Sequence, residues 1–262
     1  MLGTGNATVT KCYNTCFVLR TGRSVLLVDA GGGNGVLSQL EKTGIAIGDL
    51  QALFVTHAHT DHLLGAVWIV RMVIHQMRSG NDRRIFKVYG HDKVLAVLEA
   101  ICRMMLPDKD QAFLGREVLL CEVKDRDVFS TGNIRLQCFD ILSTKEKQYG
   151  FRAALPDGRS LVCLGDEPYN PANHAYAAGA DWLVCEAFCL YRDRAIFKPY
   201  EKHHSTALEA GQVAEQLQVK NLLLYHTEDR TLSTRRIEYT KEAVRNFSGA
   251  VWVPDDLERI VL

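Results

Sequence analysis

The sequence predicts an α/β fold that is rich in β-structure. Short apolar runs typical of buried strands alternate with longer helical patterns along the chain, in two similar halves. Gly and Pro are scattered instead of clustered, so no segment has the composition of an interdomain linker. These observations favour one domain over residues 1–262, with two sheets packed face to face and helices outside.

Each element follows from its apolar pattern. Strands are predicted from runs of four to eight mostly apolar residues, and helices from longer segments with apolar residues three or four apart. The sequence Thr206-Ala207-Leu208-Glu209 has the form of a capping box, which marks the start of a helix. The predicted strands are 16–20, 25–29, 52–56, 85–89, 118–123, 134–141, 151–155, 161–164, 182–185, 221–225, 250–253 and 259–262. The predicted helices are 36–42, 62–77, 92–105, 170–178, 206–217 and 235–247.

The composition favours a cytoplasmic protein without a membrane anchor. The eight cysteines include no Cys-x-x-Cys pair, and most lie in strand patterns, where buried free thiols are expected. The apolar run at 63–77 contains Arg71 and His75 and is too short to span a bilayer. The N-terminal segment lacks the basic and apolar stretches of a signal peptide.

The charge balance bears on the substrate. The 31 Lys and Arg residues equal the 31 Asp and Glu residues in number, whereas proteins that bind many phosphates of a long nucleic acid usually carry a basic surplus. Basic stretches at 78–87 and 192–202 are interpreted as solvated surface. The glycine-rich turn at 31–35 lacks the Gly-x-Gly-x-x-Gly spacing in its usual setting, so no nucleotide cofactor is expected.

The main functional signal is a cluster of three histidines and one aspartate within six residues. His57, His59, Asp61 and His62 lie between an apolar strand and a long apolar helix pattern, at the kind of turn where α/β sheets place their chemistry. Imidazole nitrogens and carboxylate oxygens are ligands that suit Zn²⁺, and also Mn²⁺ or Fe²⁺. The sequence therefore predicts a metal site here, with zinc as the expected ion.

This cluster resembles the His-x-His-x-Asp-His signature of the metallo-β-lactamase superfamily. With Gly65, as Asp61-His62-Leu63-Leu64-Gly65, it is most similar to the ribonuclease Z branch. Further short matches follow in that branch's order across nearly the whole chain: Leu2-Gly3-Thr4-Gly5, Leu27-Val28-Asp29-Ala30-Gly31, Gly165-Asp166, Cys185-Glu186-Ala187, His204-Ser205-Thr206 and Tyr225-His226. The resemblance implies a four-layer αββα sandwich of the metallo-β-lactamase type, with metals at one edge between the sheets.

The resemblance also implies the remaining ligands. Asp166 ends an apolar strand and would bridge two ions, with one oxygen to each. Such a bridge offsets the repulsion between dications about 3.5–4 Å apart. The second metal would be held by Asp61, His62, Asp166 and His226, and the first by His57, His59 and Asp166.

One departure from the family pattern concerns the first metal. The family has a further histidine shortly before an aromatic-Gly pair, but the segment 139–151 contains no histidine. Leu142, or Ser143 if the register shifts by one, takes that place, and leucine cannot ligate. The sequence therefore predicts a reliably occupied second site and a weaker or empty first site. Retention of two full equivalents after dialysis against chelator would count against this.

The implied chemistry is hydrolysis by a metal-activated water. Asp61 would orient that water or accept its proton, and His204 would protonate the leaving group. Glu186 would orient His204 and raise its pKa.

The expected function is a metal-dependent hydrolase, specifically a phosphodiesterase or a ribonuclease Z-like nuclease. One alternative is a metal-binding protein of the same fold with reduced or lost catalysis; another is hydrolysis of a small carboxyl ester or thioester. The expected substrate is thus a small phosphodiester, such as a cyclic nucleotide, another small ester, or RNA. A homodimer is the family expectation.

Overall fold

Two β-sheets carry the functional segments, and the first is built from the N-terminal half of the chain. The computed structural model describes residues 1–80 and 84–262, so the predicted basic stretch 78–87 lies partly outside the described residues. Strand β1 pairs antiparallel with β2, and β2 to β5 run parallel in chain order. The elements are β1 (Phe17–Thr21), β2 (Ser24–Val28), α1 (Gly35–Lys42), β3 (Ala52–Phe54), α2 (Thr60–Arg78), β4 (Phe86–Gly90), α3 (Asp92–Met105), α4 (Asp108–Gln111) and β5 (Val118–Glu122).

The second sheet has the order β12-β11-β10-β9-β8-β7-β6. Its strands β6 to β9 are antiparallel neighbours, whereas β9 to β12 run parallel. The elements are β6 (Val128–Thr131), β7 (Ile134–Asp140), β8 (Tyr149–Ala154), β9 (Ser160–Cys163), α5 (His174–Ala177), β10 (Trp182–Glu186), α6 (Arg194–Phe197), α7 (Ala207–Gln216), β11 (Asn221–Tyr225), α8 (Arg235–Ala243) and β12 (Ala250–Trp252).

Three apolar clusters define the predicted αββα layers. One lies between the sheets, where the rings of Phe54 and Phe151 meet edge to face with centroids 5.5 Å apart. A second packs the first sheet against α1, α2 and α3, and a third packs the second sheet against α7 and α8. Because the central strands of each sheet are covered on both faces, they are mostly apolar, as in Ser24–Val28, where every residue is buried.

Most elements match the sequence prediction, and two differences have physical causes. The predicted strand at 259–262 is wrong: Ile260 and Leu262 pack against the core between the sheets, but the segment joins no ladder. The alternation of apolar residues in segment 259–262 therefore reflects the partial burial of Ile260 and Leu262, and not strand pairing. Strand β6 was not predicted, because it is short, two of its four residues are exposed, and only Val128 and Phe129 are apolar.

The carboxyl ends of the parallel strands in both sheets meet at one edge of the molecule. Segments that follow β2, β3, β9, β10 and β11 all lie there, as expected for α/β sheets. All eight cysteines are free thiols, and six are buried. Among the helices in residues 1–80 and 84–262, none has the length and apolarity needed to cross a membrane.

Candidate metal centre

The turn between β3 and α2 presents the four clustered side chains. His59 is the residue just before α2, with extended backbone (φ −70°, ψ 153°), and the helix begins at Thr60. Asp61 lies in the first helical turn, where the helix dipole stabilises a negative charge. The switch from strand to helix thus brings ligands one to five residues apart onto one concave surface.

The structure brings the predicted ligands into two adjoining groups. In the first, His57 Nε2 lies 2.9 Å from His59 Nδ1 and 3.5 Å from Asp166 Oδ2. In the second, Asp61 Oδ2 lies 3.4 Å from His62 Nε2 and 3.5 Å from His226 Nε2. The donor atoms of each group lie within 4.8 Å of one another. The first group is His57, His59 and Asp166, and the second is Asp61, His62 and His226.

Asp166 joins the two groups through one oxygen. Its Oδ2 lies 3.5 Å from His57 Nε2, 3.6 Å from His62 Nε2 and 3.5 Å from His226 Nε2. Its Oδ1 instead accepts a hydrogen bond from Gln148 Nε2 at 2.5 Å. The expectation of one Asp166 oxygen for each metal is therefore not what the structure has, because a single oxygen faces both groups.

The electrostatics of the centre are dominated by close histidines and carboxylates. Burial opposes ionisation of Asp61, but His62 and His226 hold its pKa well below the usual carboxyl value. Burial likewise opposes ionisation of Asp166, whose pKa is lowered by His57, His226 and His62. Both carboxylates are therefore charged at neutral pH, which is the state that binds cations.

Asp29 was not predicted as a site residue. It follows β2, is buried, and its Oδ2 lies 2.8 Å from His62 Nδ1. Thr56 donates its backbone N–H to Asp29 Oδ1 at 2.8 Å and its hydroxyl to Oδ2 at 2.9 Å. A carboxylate on Nδ1 keeps the proton there and leaves the Nε2 lone pair of His62 facing the centre. Its position at a strand end was the sequence signal that could have identified it.

The donor set fits a divalent cation. Within the described part of the chain, the buried His62 Nε2 and His226 Nε2 have no hydrogen-bond partner, although both face carboxylates. Buried polar atoms without partners are costly, and bound metal is one explanation of such atoms. Three imidazoles or carboxylates per group are also the usual protein ligands of a catalytic zinc site.

His204 and Glu186 lie together, but not as expected. His204 Nδ1 is 3.8 Å from Glu186 Oε2, too far for a hydrogen bond. Glu186 instead accepts backbone N–H groups from Ser205 at 2.5 Å and Phe188 at 3.1 Å. Burial, followed by the neighbouring His226, lowers the pKa of His204 to about 3, and burial raises that of Glu186 to about 8. The raised pKa expected for His204 is therefore wrong for this structure.

The position assigned to the missing histidine also needs correction. Leu142 is half exposed, has a left-handed backbone (φ 60°), and is not among the residues lining the cavity over the centre. Gln148, directly before Tyr149-Gly150, is the buried side chain from this hairpin that touches the predicted ligands. Counting along the sequence missed Gln148 because the loop between β7 and β8 is closed by the hydrogen bond from the Ile141 N–H to the Gln148 carbonyl.

A cavity of about 370 Å³ opens over the centre. Lys145 and Lys202 line it, and Lys145 Nζ donates to the Lys202 carbonyl at 2.7 Å. The ring of Phe188 stacks on His204, with centroids 4.6 Å apart and planes at 9°. The remaining lining residues are Asn6, Ala7, Thr8, Ala58, His59, Thr60, Asp61, Asp166 and His226.

Comparisons with known proteins agree on the fold. A sequence model of the family described as Anti-Pycsar protein Apyc1 matches residues 1–247. The ribonuclease Z of Bradyrhizobium diazoefficiens is 25% identical over 90% of this chain and 93% of that protein. The crystal structure of the metallo-β-lactamase fold protein YhfI from Bacillus subtilis has a TM-score of 0.73 at 21% identity, covering 97% of this chain and 94% of that one. Human tRNase Z, short form, has a TM-score of 0.72 at 20% identity, covering 98% and 96%.

Proposed function

The chain belongs to the Anti-Pycsar protein Apyc1 family and has the metallo-β-lactamase fold of the ribonuclease Z-like branch, and on that premise we propose a metal-dependent phosphodiesterase for small substrates. The observation that carries the proposal is the convergence of two ligand groups beneath a cavity of about 370 Å³. Cavities of roughly 300–1,000 Å³ are typical of small-molecule sites. A nucleoside cyclic monophosphate is a phosphodiester of suitable size.

The proposed ligands are the six residues of the two groups, with zinc as the proposed ion. Bound divalent ions would lower the pKa of a coordinated water and offset negative charge on phosphoryl oxygens. The first group has His57, His59 and Asp166, and the second has Asp61, His62 and His226. Asp166 Oδ2 also faces His62 and His226, so Asp166 would serve both groups.

Three side chains would accept, donate or position the protons of the reaction. Asp61 would accept a proton from the attacking water as the new P–O bond forms. His204, as a neutral imidazole, still carries one N–H that can donate to the leaving oxygen as its bond to phosphorus breaks. Glu186 would position His204 indirectly, through the backbone of Ser205.

Lys145 and Lys202 support an anionic substrate. Both line the cavity, and the Lys202 ammonium lies 4.8 Å from the centroid of the Phe188 ring. Two cations at the mouth of a partly enclosed site attract a phosphodiester and hold it near the ligand groups. A neutral carboxyl ester or thioester would gain little from them.

Processing of transfer RNA is less well supported. The formal net charge is +0, and β9 and β10 are separated only by residues 164–181, with no long insertion that could clamp a transfer RNA. Long nucleic acids are bound chiefly through phosphate neutralisation by Lys and Arg. The ribonuclease Z relatives keep RNA as the second candidate substrate.

Hydrolysis of bis(p-nitrophenyl) phosphate and of cyclic nucleotides by the protein reconstituted with Zn²⁺ or Mn²⁺ tests the proposal. Loss of the proton acceptor in Asp61→Ala should reduce kcat by about 10²–10⁴-fold. His75→Ala, an exposed histidine on α2, is the matched control and should be unaffected.

Three outcomes would overturn it. Equal rates for wild type and Asp61→Ala would remove the centre from the reaction. Full metal occupancy without turnover would favour a metal-binding protein with lost catalysis. Faster cleavage of transfer RNA precursors than of any small phosphodiester would favour the nuclease.

A further inference from the structure

Gln148 connects two of the three side chains of the first ligand group. Its Nε2 lies 2.8 Å from His57 Nδ1 and 2.5 Å from Asp166 Oδ1. The side chain is 1% exposed, so these contacts are made out of reach of solvent. Gly165 leaves room for it: a Cβ at that position would lie 2.9 Å from the Gln148 amide carbon.

We propose that Gln148 is a positioning residue of the metal centre, which fixes Asp166 so that Oδ2 faces both ligand groups. The proposal rests on the proposed metal-dependent function. An amide N–H donated to a carboxylate is a charge-assisted hydrogen bond, about twice as strong as a neutral one. Because Oδ1 is held in this way, any rotation of Asp166 that withdraws Oδ2 from the three imidazoles must break this hydrogen bond.

The contact between Gln148 and His57 opposes metal binding, whereas the contact with Asp166 favours it. A donor on Nδ1 favours the tautomer with its proton on Nε2, which is the atom that faces His59 and Asp166. However, the Thr56 hydroxyl also lies 2.9 Å from His57 Nδ1, and its own proton can be donated to Asp29. Thr56 can therefore accept the Nδ1 proton in the tautomer that leaves Nε2 free, and in that tautomer the contact between Gln148 Nε2 and His57 Nδ1 is no hydrogen bond, since both groups are donors.

The stronger of the two contacts decides the expected effect. The bond to the charged Asp166 is shorter and charge-assisted, whereas the contact with His57 is not a hydrogen bond in the tautomer that leaves Nε2 free, where Thr56 accepts the Nδ1 proton. Residues that orient metal ligands typically change metal affinity by 10–100-fold when they are mutated. We therefore expect the loss of Gln148 to weaken metal binding by about that factor.

Gln148 also explains how the hairpin contributes without a histidine. The backbone N–H of Ile141 donates to the Gln148 carbonyl at 3.1 Å, which closes the loop between β7 and β8. Gln148 Oε1 is buried and, among the residues that the structure describes, has no hydrogen-bond partner. A side chain held at the cost of an unsatisfied oxygen is poorly explained by stability alone.

Metal titration of the metal-free full chain tests this inference independently of turnover. Zn²⁺ affinity is measured by competition with a chelating indicator, and the Co²⁺ electronic spectrum reports the ligand geometry. Gln148→Met keeps the volume and apolar length but removes the donor, and should weaken the affinity of the weaker equivalent by about 10–100-fold with an altered spectrum. Leu142→Ala, on the same hairpin, should leave both unchanged.

The unfolding temperature of the metal-free variants separates positioning from general stability. A lower unfolding temperature with unchanged Zn²⁺ affinity and Co²⁺ spectrum would overturn the proposal. Unchanged or tighter Zn²⁺ binding by Gln148→Met would also overturn it, since the His57 contact would then dominate. If the wild type binds metal without hydrolysing any phosphodiester, the proposed function fails. The comparison of Zn²⁺ affinity between wild type and Gln148→Met still tests the role of Gln148 in that case.

Discussion

At the residue scale, Asp29 sets the orientation of His62. It has a left-handed backbone (φ 53°), which few non-glycine residues adopt, and this conformation aims its carboxylate at His62 Nδ1 and Thr56. Strained residues of this kind persist where the surrounding structure holds them, often at functional sites.

Replacement of Asp29 by Asn should weaken metal binding by about 10–100-fold, the usual effect of losing a partner that orients a ligand. The amide presents a donor or a weaker acceptor to Nδ1, so the tautomer of His62 is no longer fixed. Metal equivalents after dialysis at a defined free Zn²⁺ concentration measure the effect. Asp157→Asn, at an exposed turn, is the control, and equal retention by all three proteins would contradict the role of Asp29.

The sequence predicted which residues at the strand ends form the site better than it predicted the contacts between them. His57, His59, Asp61 and His62 were predictable because their density near one turn is a local signal. The contacts of Asp29 and Gln148 were not, since they depend on a left-handed backbone and on packing between segments 91 residues apart. The roles of the predicted ligands, and the single domain over 1–262, stay predictions.

At the element scale, Glu186 links the end of β10 to the segment before α7. Both oxygens of its fully buried carboxyl group accept backbone N–H groups, from Phe188 and Ser205. Burial nevertheless raises its pKa from 4.5 to about 8. The folded state therefore binds this proton more tightly than the unfolded state does.

Glu186 should make stability depend on pH. Its contribution is fully present below the unfolded pKa near 4.5 and is lost as the pH rises through about 8. Between pH 5 and pH 9 the free energy of unfolding of the metal-free wild type should fall by about 2–5 kcal/mol more than that of Glu186→Gln. Urea denaturation measures both slopes, with the exposed Glu201→Gln expected to follow the wild type; parallel slopes for all three would refute this.

The β7–β8 hairpin gives a second test at this scale. Leu142→His restores a histidine at the position suggested by sequence register, but the side chain there is half exposed and does not line the cavity. We expect no increase in the number of retained zinc equivalents. A gain of a full equivalent would show that the loop can bring residue 142 to the first ligand group, and that the register interpretation was correct.

The strands that are most completely buried were predicted most accurately from the sequence. Strands buried on both faces, such as β2 and β11, matched within one residue, because continuous apolar runs leave little ambiguity. The predicted helix 170–178 is longer than the helix in the structure, α5, which covers only His174–Ala177 and follows a tight turn that begins at Pro171. The alanine-rich segment predicted a longer helix than Pro171 and the following glycine at 179 allow.

At the scale of the whole molecule, the centre spans the boundary between the two sheets. His57, Asp61 and His62 follow β3 of the first sheet, whereas Asp166 and His226 follow β9 and β11 of the second. Metal-free, this boundary brings two charged carboxylates together, with Asp61 Oδ2 and Asp166 Oδ2 both 3.5 Å from His226 Nε2. A cation shared by ligands from both sheets would relieve that repulsion and bind only the folded chain.

Zinc should therefore stabilise the entire fold. A ligand that binds only the native state at 100 times its Kd adds about 2.7 kcal/mol, or an increase in Tm of roughly 5–10 °C for a chain of this size. Differential scanning calorimetry of chelator-treated protein, with and without added Zn²⁺, measures the shift. In Asp61→Ala the Zn²⁺-dependent increase should be much smaller, while the metal-free Tm should fall or stay equal, because the favourable contacts of the Asp61 carboxylate with His62 and His226 are lost. An equal Zn²⁺-dependent increase in wild type and variant would mean that the ion binds elsewhere on the molecule.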